Sequence, residues 1–240
     1  MIGPSGCDQR IELPSRPISI DVKANDVAFT VAVPKNEMFR FNQIFQENVY
    51  AILSRRSTGD PRMVIDVGAN IGLFAIYMKC IDPAARVHCF EPYKGALDLL
   101  VSNIEPFQDI YVHPFGLYSG EQQARLHLHR FNSGENSIRI KNHHYHRAAA
   151  VQLRDAGATI DKLNLNQIDV LKIDTEGCEI EILESLGDRL SDIDYILIEY
   201  HSEKDRRHID QLLHHFDVFA ARSDKIGVGT VNYINSQLTP

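Results

Sequence analysis

Val64-Ile65-Asp66-Val67-Gly68-Ala69-Asn70-Ile71-Gly72-Leu73-Phe74-Ala75 reads as a buried strand, a glycine turn and the first turn of a helix. The run Met63–Val67 is apolar on both faces. That suits a central parallel strand covered by helices, whose carboxyl end opens onto a crevice. Gly68 and Gly72 let the backbone turn tightly and approach a ligand with no Cβ in the way. The helix that follows directs its first N–H groups at the same point. Glu91 ends a second apolar run, Ala85-Arg86-Val87-His88-Cys89-Phe90, nineteen residues beyond Gly72. At the tip of the neighbouring strand its carboxylate would accept both hydroxyls of a ribose.

The turn also narrows the ligand. A dinucleotide-binding turn has Gly-x-Gly-x-x-Gly, the second glycine giving access to a pyrophosphate. Here Asp66-x-Gly68-x-Asn70-x-Gly72 puts Asn70 in that place, which favours a nucleoside ligand without a diphosphate, S-adenosylmethionine (SAM). The plainer alternative is a glycine-containing strand-to-helix turn of any α/β protein. It requires the glycine spacing, Asp66 and Glu91 to coincide by accident.

Composition agrees with a globular protein. The chain has 240 residues, enough for one α/β domain with an extra segment, and 44% of them are hydrophobic. A net charge of −7 argues against nonspecific binding to nucleic acid or an anionic membrane, either of which needs a basic patch. No apolar run approaches the roughly 18 residues of a membrane span. The first residues lack the apolar core of a signal peptide, so a cytoplasmic location is expected. Cys7, Cys80, Cys89 and Cys178 form no Cys-x-x-Cys pair and read as buried reduced thiols.

Around the opening stretch the chain alternates strands and helices. Residues 1–17 read as an irregular arm. Segments 18–22 and 27–33 read as a hairpin, and an amphipathic helix is predicted over 37–56, with Phe41, Ile44, Phe45, Val49 and Ile52 on one face. Residues 1–57 would thus be a cap, lid or dimerisation element, and 58–240 the main domain. Strands are predicted at 62–67, 86–90, 110–115, 168–173, 194–200, 216–220 and 227–234. Helices are predicted at 71–81, 93–105, 178–186 and 203–215. An insertion at about 124–153 breaks the rhythm: 124–129 alternates like a hairpin strand, and 132–150 is polar and irregular. Such alternation predicts a mostly parallel sheet with helices on both faces.

Two more strand ends carry ionisable groups. Asp174 closes Ile168-Asp169-Val170-Leu171-Lys172-Ile173, before Glu176 and Gly177. Glu199 and His201 share one face at the end of Asp194–Tyr200. In a doubly wound sheet these tips open into the crevice that holds the cofactor. One of them could serve as general base toward an acceptor hydroxyl, with His201 the first choice and Asp174 its rival, or Asp174 and Glu199 could hold a divalent cation, Mg²⁺ or Ca²⁺. Glu179 reads as a charge complementing the helix dipole. His143, His144 and His146 read as a solvated loop that touches substrate.

Asp66-Val67-Gly68-Ala69-Asn70-Ile71-Gly72, Phe90-Glu91-Pro92, Leu171-Lys172-Ile173-Asp174-Thr175-Glu176-Gly177 and Ile198-Glu199-Tyr200-His201, in that order and spacing, resemble the FkbM-type SAM-dependent methyltransferases. Pro114–Gly120 and Asn136-Ser137 resemble that family's connecting motifs. The resemblance covers about residues 62–201. It implies a class I, Rossmann-like methyltransferase fold with a seven-stranded sheet whose last strand is antiparallel. It also implies methyl transfer, usually to oxygen on a sugar, polyketide or related small metabolite. Carried over by position, Asp66, Gly68, Ala69, Asn70 and Gly72 would surround the methionine part of SAM. Glu91 would bind the ribose, and Gly116 and Leu117 would flank the adenine. Cys178 stands where the family often has a small residue, and the Asp-Asp pair of related metal-dependent sugar methyltransferases is missing after the fifth strand. Two rivals stay open: N-methylation of a peptide side-chain amide, and a SAM- or NAD-binding regulatory domain. A homodimer through helix 37–56 or the insertion is a further expectation.

Overall fold

β1 (Ile18–Ala24) and β2 (Val27–Val33) pair antiparallel, Ile18 opposite Val33 and Ala24 opposite Val27, as the alternation predicts. Phe29, Val31 and Val33 turn inward. The structure is a computed structural model and describes residues 16–24, 27–50, 52, 61–130, 132–139 and 144–239. Residues 1–15 of the arm expected at 1–17 therefore lie outside the described residues.

α1 (Met38–Phe45) is shorter than the helix expected over 37–56. It follows a 3-10 turn at Lys35–Glu37 and stops because the chain turns back on itself. The N–H groups of Glu47 and Val49 donate to the carbonyls of Asn42 and Gln43. Asn48 takes φ +54°, a left-handed conformation that asparagine tolerates better than most residues. The apolar periodicity beyond residue 46 therefore serves a packed turn, in which Tyr50 meets Phe74 edge-on at 5.3 Å. Residues 51 and 53–56 of the expected helix are outside the described residues.

β3 (Met63–Val67), α2 (Leu73–Ile81), β4 (Arg86–Phe90), α3 (Lys94–Ile104) and β5 (Ile110–His113) follow in the expected order. Next, β6 (Gly116–Tyr118), β7 (Gln122–His129) and β8 (Tyr145–Asp155) form a separate three-stranded sheet in the order β6-β8-β7. Here the expectation of an irregular 132–150 is corrected, since residues 145–150 belong to β8. Arg147-Ala148-Ala149-Ala150 has poor intrinsic strand propensity, and antiparallel pairing with Arg125–Leu128 overrides it. α4 (Ala156–Lys162) was also not foreseen. Asp155 caps it, accepting from the Ala158 N–H at 2.8 Å, while Gly157 in its first turn obscures the helical pattern.

β9 (Ile168–Ile173), α5 (Glu179–Leu186), β10 (Ile193–Tyr200), α6 (Glu203–Leu212), β11 (Phe216–Lys225) and β12 (Val228–Asn235) complete the chain. β11 runs five residues past the expected 220 because Ala221–Lys225 pairs with Val228–Val231. The main sheet has the order β11-β12-β10-β9-β3-β4-β5. β12 runs antiparallel to both neighbours, and β10, β9, β3, β4 and β5 run parallel. This is the class I methyltransferase topology. The chain leaves β3 toward β4 and β5 on one side and returns to β9 and β10 on the other. The carboxyl ends of β3, β4, β9 and β10 therefore share one crevice at the switch point. Among the described residues no helix is long and apolar enough to cross a membrane.

Candidate active site

The glycine turn is locked against the end of β9. Gly68 has φ +76°, and a Cβ there would stand 1.9 Å from the Asp174 carbonyl oxygen. The Asp174 N–H donates to the Val67 carbonyl at 3.1 Å, and the N–H groups of Gly68 and Ala69 both donate to the Phe90 carbonyl. Asn70, at φ +47°, aims its N–H at Glu91 Oε2 (2.9 Å), while the Tyr93 N–H donates to Oε1 (2.8 Å). Burial raises the Glu91 carboxyl to about 7, against the pull of these two hydrogen bonds.

Gly68, Ala69, Asn70, Glu91, Gly116 and Leu117 line one cavity. The other two expected SAM residues stand behind its wall. Gly72, φ +86°, opens α2 against Leu100 and Ile104. Asp66 is fully buried, with Lys172 Nζ 3.1 Å from its Oδ1. Lys172 also donates to the Gly68 carbonyl at 2.8 Å, so the pair braces the turn from beneath. Burial raises the Asp66 carboxyl, and the Lys172 charge opposes that shift. Lys172 was not singled out from sequence, although a lysine inside an otherwise apolar core strand is itself a signal.

At the other end of the cavity the strand tips meet as expected. One ligand atom each from Asp174, Glu176, Glu199 and His201 lies within 4.8 Å of the others. The turn that carries Asp174 is held by Glu179, whose Oε1 accepts from the Thr175 N–H (3.2 Å), the Thr175 hydroxyl (3.0 Å) and the Gly177 N–H (2.9 Å). Glu179 thus shapes the loop, a more specific job than the dipole complement expected of it. His201 Nε2 stands 2.8 Å from Glu176 Oε2 and 3.9 Å from Glu199 Oε1. Asp174, Glu176 and Glu199 line the cavity, and His201 sits behind Glu176.

Two residues of the site come from the N-terminal segment, where the sequence pattern points only to the apolar face of Phe41, Ile44, Phe45, Val49 and Ile52. Arg40 on α1 reaches into the acidic corner. Its Nη1 lies 2.9 Å from Asp174 Oδ2 and 3.7 Å from Glu199 Oε2, and its Nη2 lies 3.4 Å from Glu176 Oε1 and donates to the Gly134 carbonyl at 3.0 Å. Glu37, one turn earlier and fully buried, accepts from the Ser133 hydroxyl (2.7 Å) and the Gly134 N–H (3.0 Å) on Oε1, and from Asn70 Nδ2 (3.4 Å) on Oε2. The available signal was an acid and a base three residues apart, on one face of a helix.

Charge sets the corner's protonation. Burial pushes the Asp174 carboxyl up, but the Arg40 and Lys172 charges outweigh it and hold the group below the usual carboxylate range. Glu199 goes the other way. Burial and the Asp174 charge raise it to about 8 despite Arg40 and His201. Three carboxylates and an imidazole would suit a divalent ion by donor chemistry. However, the Arg40 guanidinium already contacts Asp174, Glu176 and Glu199, so the corner does not fit the expected Mg²⁺ while α1 is docked. Of the three loop histidines, His143 is outside the described residues and His144 is exposed.

Residues 66–221 match the model of the methyltransferase FkbM domain. Among curated proteins, the AMB antimetabolite synthetase AmbE of Pseudomonas aeruginosa is 29% identical over 210 residues, which cover 69% of this chain but only 10% of AmbE. The hexuronic acid methyltransferase AglP of Haloferax volcanii is 25% identical over 207 residues, covering 82% of this chain and 80% of AglP. Among solved structures, Aeropyrum pernix fibrillarin with bound SAM aligns with a TM-score of 0.50 at 11% identity, covering 90% of this chain and 82% of that one. This last likeness speaks for the fold alone. With the topology and the matched domain in agreement, the chain belongs to the FkbM methyltransferase family and carries a SAM-dependent methyltransferase domain.

Proposed function

We propose that this protein transfers a methyl group from SAM to a hydroxyl oxygen of a small metabolite, with Asp174 as the group that accepts the hydroxyl proton. The observation that carries the reading is Asp174 Oδ1. Arg40 holds the other carboxylate oxygen, while Oδ1 is buried and has no hydrogen-bond partner among the described residues. A buried acceptor without a donor is costly, and an incoming hydroxyl would satisfy it. His201, the first expectation for the base, is turned toward Glu176 and serves to position that carboxylate.

SAM supplies a methyl on a sulfonium, an excellent electrophile. The protein's task is alignment of the acceptor opposite sulfur, with the reacting atoms about 3 Å apart. Glu91 would hold the ribose, and the Gly68–Asn70 turn the methionine part. As the O–CH₃ bond forms and the S–CH₃ bond breaks, sulfur keeps the electron pair and the hydroxyl proton passes to Asp174. The name of AglP makes sugar acids a first class to screen, with polyketide hydroxyls and peptide amides beside them. Mass-shift screening with labelled SAM and calorimetry with SAM, its demethylated product and NAD test the reading. Labelled ether products are expected. Labelled amide products would replace the oxygen acceptor by nitrogen, and binding of NAD alone would overturn methyl transfer.

A further inference from the structure

The acidic corner already contains a cation, and that cation belongs to the chain. Asp174, Glu176 and Glu199 converge from β9, the following turn and β10, and together they would repel one another strongly in a buried setting. A protein can relieve this with a bound ion or with a side chain. Arg40 is nearly buried, and its guanidinium spans all three carboxylates at 2.9, 3.4 and 3.7 Å. Its position is itself fixed: the Gly134 carbonyl accepts from Nη2, and Glu37, 3.6 Å from Nε, joins the same helix to Ser133, Gly134 and Asn70. A planar fork held at both ends is suited to bridging carboxylates in a way that a hydrated point charge is not.

We infer that Arg40 is a positioning residue that supplies the positive charge of the acidic corner in the place a divalent ion would take, which makes the N-terminal segment a working part of the site. Arg40 keeps Asp174 and Glu199 close together and leaves Asp174 Oδ1 turned away from the guanidinium. It therefore acts on the acceptor through those carboxylates. The inference rests on the methyl-transfer reading for its turnover measurement alone. The ion-binding measurement stands without it.

The test uses the full chain and Mn²⁺ as probe, followed by electron paramagnetic resonance. R40A opens space for an ion, R40Q removes the charge while keeping a donor for the Gly134 carbonyl, and R40K keeps the charge. R40A and R40Q are expected to bind one Mn²⁺ about tenfold or more tighter than the wild type or R40K, because an uncompensated buried carboxylate group seeks a counter-charge. Adding D174N to R40Q should abolish the gain. Wild-type turnover should be unchanged by EDTA, and R40Q should lose kcat more than SAM affinity, with R40K recovering part of it. Near-ultraviolet circular dichroism checks that each variant is folded, and should R40A not fold, R40Q decides. D174N-sensitive Mn²⁺ binding by the wild type would overturn the inference, as would a folded R40Q with no added Mn²⁺ affinity.

Discussion

Gly68 and Asp174 are packed so closely that a methyl group on the first would lie 1.9 Å from the carbonyl oxygen of the second. The contact joins the turns after β3 and β9, which on the proposed reading would hold SAM and the acceptor. Gly68→Ala also places a side chain at φ +76°. It is expected to destabilise the protein by about 2 kcal/mol or more and to weaken SAM binding, as urea unfolding and calorimetry would show. A variant with wild-type values for both would mean that the two turns are not rigidly coupled.

If Glu91 holds the ribose of SAM as proposed, SAM binding depends on pH. Its carboxyl is raised by burial to about 7. The ionised form accepts ribose hydroxyls best, so SAM affinity should fall as pH drops below about 7. Stability of the unliganded protein follows the opposite sign. A raised carboxyl contributes stability that is fully present below the unfolded-state value and lost as pH rises through about 7. Glu91→Gln should flatten both profiles and lower SAM affinity by about 10- to 100-fold at pH 8, measured by calorimetry and denaturant titration.

The Asp66–Lys172 pair predicts strong non-additivity. Both side chains are almost fully buried, 3.1 Å apart. Lys172→Met strands a buried carboxyl and is expected to cost about 3–5 kcal/mol. Asp66→Asn combined with Lys172→Met should recover a large part of that. Urea unfolding of the two single variants and the double variant closes the cycle, and simple addition of the single effects would refute the coupling.

Proton acceptance can be separated from binding. Asp174→Asn should lower turnover by about 10²- to 10⁴-fold while SAM binding persists. His201→Ala, which frees Glu176, should cost less. Wild-type turnover should rise as pH passes about 8, where Glu199 loses its proton, and Glu199→Gln should remove that limb. Equal loss of SAM affinity and turnover in Asp174→Asn would assign this residue to cofactor binding instead.

The central sheet was legible because its strands obey local rules: Met63–Val67, Arg86–Phe90 and Ile168–Ile173 are short apolar runs whose ends carry Gly68, Glu91 and Asp174. Residues that depend on distant pairing were not legible. Ala148–Ala150 becomes strand only because β7 lies beside it. The helix predicted to 56 ends at Phe45 because Asn48 accepts a left-handed backbone. Arg40 and Glu37 look like ordinary charges of an amphipathic helix. Their roles appear only when α1 is laid against β9 and β10, more than a hundred residues away.

The bonds of Glu37 bear on where this protein begins as a chemical unit. The family model matches from residue 66, yet a carboxylate at position 37 ties together Asn70 and the Ser133-Gly134 segment, and a guanidinium at 40 lines the cavity. A chain trimmed to residues 66–221 would lose the first three residues of β3, the end of β11 and all of β12, and with α1 it would lose one side of the cavity. The family match and the chemistry draw their boundaries in different places along this sequence.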